Sequence, residues 1–425
     1  MEEPVMAKVV RQLKAATPEQ RKSLLAQLAE ISKGGLGYDD ALYALKAAAD
    51  DWPDDEVDVS DALVQVALVR PYREFAIMFG EFFPKYSPAA RRRMIDLLVD
   101  TRDELAATVY AKIVRNYAKD GIVPATKLSN FLDIKKASRI LIPALLEHLN
   151  GSDLDLRICR LALDMAWNKY IKREALDPYA EYILNAYRPR REEMRSREEP
   201  EGYEWKWNDR YQKLREDMIL ILFLMSYVRG ETIVEALSES LNSRDLVMAC
   251  WAARGLMANG CQIPPEKIEE IAACAESRNC LFELLDSENR LELFPQRYAN
   301  QEAMAESVMV EWLASDEGPG RAPDEIELME TFTEEDSEEL YCLFRFQNLA
   351  PHPAADAGWM AGLAGPFWIE DKPSTMARNH PVSLYEKWES KKPVEHYRSL
   401  RAHMTELRRK ELAIDYEAAG CKSNK

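Results

Sequence analysis

From residue 4 to about 290 the apolar positions recur every three or four residues, the spacing of helices that bury one side. In the stretch 245–257 the stripe is Leu246, Ala249, Cys250, Ala253, Leu256 and Met257, with Ser243 as the expected N-cap and Gly260 as the stop. Pro264 and Pro265 open a second helix, which carries Ile268, Ile271 and Ala272. The same unit occurs upstream. Ser152 is positioned to cap a helix bearing Leu154, Ile158, Leu161, Ala162, Met165 and Ala166, and a partner at 178–187 carries Tyr179, Ile183 and Leu184. A further pair falls at 208–227 and 231–241. Ser87-Pro88 and Thr17-Pro18 start two more helices, and 103–118 supplies a partner for the helix that Ser87 opens. Asp155 and Asp245 hold comparable places 90 positions apart, room for two units of roughly 40–47 residues.

The pattern breaks twice. Residues 188–207 hold a Pro, a Gly, dense mixed charge and Tyr203-Glu-Trp-Lys-Trp207, which predicts an exposed loop between helices. After a helix at 301–314, Gly318-Pro-Gly-Arg-Ala-Pro323 ends the helical run and the period falls to two. Ile326, Leu328 and Glu330 lead one strand. In a second, at 340–349, Cys342, Phe344 and Phe346 alternate with Tyr341, Leu343 and Arg345. A third is expected at 359–368, and a helix at 394–412 with Tyr397, Leu400, Met404 and Leu407 on one face closes the chain. The expected organisation is a helical solenoid over 1–295 and a small α+β module over 296–425 that caps its end.

The paired helices resemble HEAT repeats over residues 60–290. The pair Leu156-Arg157, the small residues Ala249 and Ala253, and the Pro-opened second helix carry the likeness. It implies an α-α superhelix of the HEAT/armadillo type and leaves function open.

Composition narrows the possible partners. The 425 residues are 47% hydrophobic and carry a net charge of −17, which opposes binding to bare nucleic acid or to an anionic membrane surface. No apolar run reaches membrane-spanning length; Met218-Ile-Leu-Ile-Leu-Phe-Leu-Met225 reads as a buried helix. The acidic start Met1-Glu-Glu-Pro lacks the layout of a secretion signal. Seven cysteines, most of them inside helical stripes, suit reduced thiols in a cytoplasm. Eleven acids against one base, Arg321, lie between Asp316 and Glu339, and Asp50, Asp51, Asp54, Asp55, Glu56 and Asp58 form a second acidic set. These are solvated loops or a docking surface for a basic partner, with part of the acidity answered by Arg398, Arg401, Arg408, Arg409 and Lys410.

Candidate chemistry is sparse. Cys250, Cys261, Cys274 and Cys280 contain no CxxC and no histidine, so buried thiols are expected there and no metal. His148 ends an apolar helix. His352 and His380, with Asp356, Asp371 and Ser374, supply the residue types of a hydrolase without a fixed motif spacing. Gly358, Gly362 and Gly365 lack the Lys-Ser/Thr pair of a phosphate loop and predict turns or close backbone approach. Trp205 and Trp207 in the charged loop, and Trp359 and Trp368 flanking the Gly-rich run, are the candidate partner-binding residues, with lids over a small core as the other reading.

The leading expectation is a non-catalytic protein–protein interaction scaffold that needs no cofactor. The first alternative is an enzyme or small-ligand binder acting through a pocket in the C-terminal module. The second is a nucleic-acid-binding HEAT-like protein, resembling the alkyl-purine DNA glycosylases; the basic sets Arg91–Arg93 and Arg188, Arg190, Arg191 are small for that role.

Overall fold

A computed structural model describes residues 4–53, 56–134, 136–149, 153–199, 202, 204–315, 318–334, 338–348, 358–368 and 382–420. It is mainly helical, with seventeen α-helices among the described residues and one four-stranded antiparallel sheet. Contacts divide the chain into two compact units, 1–197 with 213–236 and 198–212 with 237–425. The expected boundary at 295/296 falls inside the second.

The first unit begins with α1 (Val5–Ala15), α2 (Pro18–Ile31), α3 (Tyr38–Ala48), α4 (Val59–Ala67), α5 (Phe75–Phe82), α6 (Pro88–Thr101) and α7 (Glu104–Tyr117). A short 3-10 stretch Leu128–Asp133 precedes α8 (Ala137–Leu146), α9 (Asp153–Trp167) and α10 (Ala180–Arg197). Local chemistry sets the starts. Thr17 and Gln20 form a capping box on α2, and Ser87, Asp58 and Asp103 cap α6, α4 and α7. Alternate helices pack on one another: α1 on α3, α3 on α5 and α5 on α7; α2 on α4, α4 on α6, α6 on 128–133 and that segment on α9. Six polar links to carboxylates of neighbouring elements share a similar offset. Met6 N donates to Asp40, Arg73 to Asp103, Arg93 to Asp61, Arg102 to Asp133, Thr126 to Asp96 and Lys136 to Glu104, at sequence separations of 34, 30, 32, 31, 30 and 32.

One expectation fails here. Residues 188–197 are not loop: α10 runs through them with Pro189 inside. Arg190, Arg191 and Met194 turn inward, and Arg190 Nη1 donates to Ala186 O at 2.8 Å. The proline removes one backbone donor, while the buried stripe on either side keeps the helix continuous.

α11 (Asp209–Met225) and α12 (Glu231–Leu241) carry residues of both units. The second unit continues with α13 (Leu246–Ala258), α14 (Pro265–Ala273), α15 (Ala275–Ser287) and α16 (Gln301–Ala314). Asp245, not Ser243, caps α13, accepting from Val247 N at 3.1 Å; Ser243 Oγ in turn accepts from Asp245 N at 3.2 Å. The strands β1 (Glu325–Glu334), β2 (Glu339–Gln347), β3 (Met360–Trp368) and β4 (Val382–Lys387) pair in sequence order, followed by α17 (Pro393–Gly420). Tyr341, Leu343, Ala361 and Leu363 form one core with Leu400 and Met404 of α17. On the other face, a methyl group at Gly362 would overlap Met309 Cε of α16 and approach Phe346 Cε1 to 3.0 Å. A sheet covered on both faces explains why β2 buries Tyr341–Phe344 without alternation.

Candidate functional site

The second unit holds an interior with more charge than a helical core usually tolerates. Lys206 lies on a 3-10 turn, Glu204–Trp207, and its ammonium sits on Glu276 Oε2 and 3.8 Å from Asp245 Oδ1. All three side chains are about nine-tenths buried or more. Arg278 of α15 is buried too, donating to Ala272 O at 2.8 Å, Ala273 O at 3.1 Å and Glu306 Oε2 at 2.8 Å. Arg321, 1% exposed, holds Glu204 through a two-pronged pair at 2.7 and 2.9 Å and also takes Asp324. Two guanidinium forks and one ammonium thereby fasten the 204–207 turn, α15, α16 and the start of β1 to one another.

These elements enclose a cavity of about 560 Å³, within the size range of small-molecule sites. Lys206, Trp207, Arg244, Glu276, Glu306 and Asp324 supply its polar wall. Trp205 is buried edge-on against Tyr211 at 4.7 Å, with Arg244 5.5 Å above its ring. Trp207 is half-buried beside the Lys206 ammonium at 5.4 Å. In the same unit, between α13 and α15, Cys250 Sγ meets Cys280 Sγ at 3.3 Å; the hydrogen bond between them and burial hold the Cys250 thiol well above its usual range. Glu311 is exposed along its stem, but its carboxyl turns inward and burial pushes it up to about 7, against the pull of a hydrogen bond from Asn279 at 3.2 Å. The cavity offers both signs of charge beside an aromatic wall. Its lysine lies between the Glu276 and Asp245 carboxylates, so the geometry is one for binding a polar ligand.

Of the two tryptophans of the 204–207 turn, Trp207 lines this cavity and Trp205 is buried against Tyr211. Trp359 and Trp368 lie apart, flanking β3. Trp359 is half-buried under Arg345 at 4.2 Å, and Trp368 is 54% exposed and is no core lid. Gly358, Gly362 and Gly365 belong to β3 and its approach; Gly358 and Gly365 have positive φ, and Gly362 sits under Met309. His148 is half-buried at the end of α8, and burial lowers its pKa. His352, His380, Asp356, Asp371 and Ser374 lie outside the described residues. Among the described residues no cluster of three or more His, Cys, Asp and Glu side chains is placed to hold a metal, and no helix is long and apolar enough to cross a membrane.

Four of the seven described acids of the segment 316–339 are met by arginines, while Asp316, Glu317, Glu335 and Asp336 lie outside the described residues. Asp324 meets Arg321, Glu327 meets Arg345, and Glu334 and Glu339 share Arg401. Asp50 pairs with Lys14, and Asp58 is spent as a cap. Lys206 lines the cavity, and Arg278 and Arg321 hold the Glu306 and Asp324 carboxylates of its wall; the sequence showed Lys206 and Arg321 only as charges in a loop and an acidic run, and did not mark Arg278. The only signal was a charged residue standing where an apolar stripe continues, as at Ser277-Arg278-Asn279. No family model, curated protein or solved structure matches the chain.

Proposed function

We propose that the chain is a non-catalytic binding protein whose helix pairs stack in a HEAT-like manner and offer a continuous surface to a protein partner. The observation that carries this reading is the offset of six polar links in the first unit, 30 to 34 residues each. A chain in which each element touches the elements one repeat away is the property of a quasi-one-dimensional stack. The offset is shorter than the roughly 40–47 residues of HEAT repeats and close to the roughly 34 of other helix-pair repeats. The same steps appear in the second unit, where Cys250 meets Cys280 and Asn279 meets Glu311 at separations of 30 and 32. Asp324, Glu327, Glu334 and Glu339 near β1 are engaged by arginines of the same unit, and the proposed partner surface is that of the helices. Buried, unbridged Cys159, Cys250 and Cys342 are in keeping with a reducing, cytoplasmic setting.

The test is affinity capture with the full chain at low and at high salt. A protein recovered in stoichiometric amount, and released as salt rises, supports the reading. Recovery of no stoichiometric partner at either salt contradicts it. The cavity beside Trp207 favours a second reading, a small polar ligand. That reading requires a ligand-induced rise in melting temperature that Trp207→Ala abolishes.

A further inference from the structure

A groove of about 630 Å³ lies in the first unit between α6, the segment 125–129 and α9. Arg92 comes from α6, Lys127 from the connecting segment, and Arg157 and Arg160 from one face of α9. Asp96 and Asp164 are the acids of the lining, so cations outnumber acids four to two inside a chain of net charge −17.

What sets the groove apart is that four such cations face one concavity. Several other surface cations of the first unit are met by a carboxylate about one repeat away: Arg73 on Asp103 at 2.9 Å, Arg93 on Asp61 at 2.6 Å, Arg102 on Asp133 at 2.9 Å and Lys136 on Glu104 at 3.3 Å. Among the described residues Arg92, Lys127, Arg157 and Arg160 make no such pair, although all four are exposed enough to reach one. The two acids do not make up the difference. Asp96 Oδ1 accepts from Thr126 Oγ1 at 2.9 Å, and burial pushes the Asp164 carboxyl up despite Arg160. Four like charges facing one concavity repel each other at a cost that a bound anion would remove.

We propose that this groove binds a small organic phosphate, of about the size of a nucleotide or a sugar phosphate. A planar carboxylate is served by one guanidinium fork. A tetrahedral phosphoryl group takes donors from several directions, which Arg92 on one wall, Arg157 and Arg160 on the other, and Lys127 between them provide. Leu128 and Leu161 line the same groove and give an organic moiety apolar surface to lie on. The site is independent of any protein partner and stands whether or not one is found.

Isothermal titration of the full chain at low salt, with inorganic pyrophosphate and AMP as probes and citrate and a hexaglutamate peptide as competitors, tests it. Saturable binding of pyrophosphate or AMP is expected, weakened roughly tenfold or more by Arg157→Glu and separately by Arg160→Gln, and unchanged by Arg73→Gln, whose side chain is committed to Asp103. The matched Arg160→Gln variant and circular dichroism of both proteins keep the result readable if the charge reversal disturbs folding. No binding of either phosphate, binding indifferent to both groove substitutions, or tighter binding of citrate or hexaglutamate would each overturn the proposal.

Discussion

The helices of residues 61–136 in the first unit and the cavity of the second place their charges in opposite ways. Between those helices ion pairs lie on the surface, as in Arg73–Asp103 and Arg102–Asp133, where the arginine side chains are 66% and 54% exposed. In the second, Lys206, Arg278 and Arg321 are buried with their carboxylates around a cavity. Surface pairs cost little to form and contribute little, and they leave each helix–helix step alike. Buried pairs contribute through the penalty of losing one partner, and they fix a single arrangement of the elements that supply them. Those helices of the first unit spread their charged pairs over a surface, and the second unit gathers its own around one cavity.

That contrast predicts a ranking of substitutions by denaturant unfolding. Lys206→Ala takes the cation from between Glu276 and Asp245 and should cost about 3–5 kcal/mol; a loss under about 1 kcal/mol would place the lysine with the surface pairs. Gly362→Ala forces a methyl group against Met309 in a sheet covered on both faces and should cost about 1–3 kcal/mol. A neutral result would mean that α16 yields freely. The Glu334 carboxyl is held below its ordinary range by hydrogen bonds from Arg401 and Tyr397. Its folded pKa therefore lies below its unfolded one, and its contribution is present above the ordinary carboxylate range and lost as pH falls through the folded value. Glu334→Gln should flatten part of the acid limb of stability against pH, and an unchanged limb would remove this pair from the account. Smallest of all, Arg73→Ala and Arg102→Ala should each change stability by about 0–1 kcal/mol.

Local signals in the sequence were legible where local chemistry decides. The Thr17 and Ser87 caps, the helix 301–314, strands β1 to β3 and the closing helix follow from side-chain periodicity and from residues that satisfy the ends of helices. The continuation of α10 past Pro189 was hidden because proline and dense charge read as a break, whereas the inward face of Arg190, Arg191 and Met194 is a tertiary effect. The strand β4, six residues long, gave too few alternations to register. Of the candidate site, Trp205 and Trp207 stood out as aromatics among charges. Lys206 between them did not, because Glu276 lies 70 residues away in sequence. Trp359 and Trp368 look alike in sequence and differ in burial, since only Trp359 lies beneath the Arg345 guanidinium.

Zero-length carbodiimide cross-linking of the native chain, with the joined peptides mapped by mass spectrometry, tests the stacked-neighbour arrangement most directly. The account predicts that within residues 4–149 the bonds join neighbours one step apart, Lys14 to Asp50 and Lys136 to Glu104 among them. Cross-links running instead between the first and last helices of that stretch, α1 and α8, with both of those pairs missing, would contradict it.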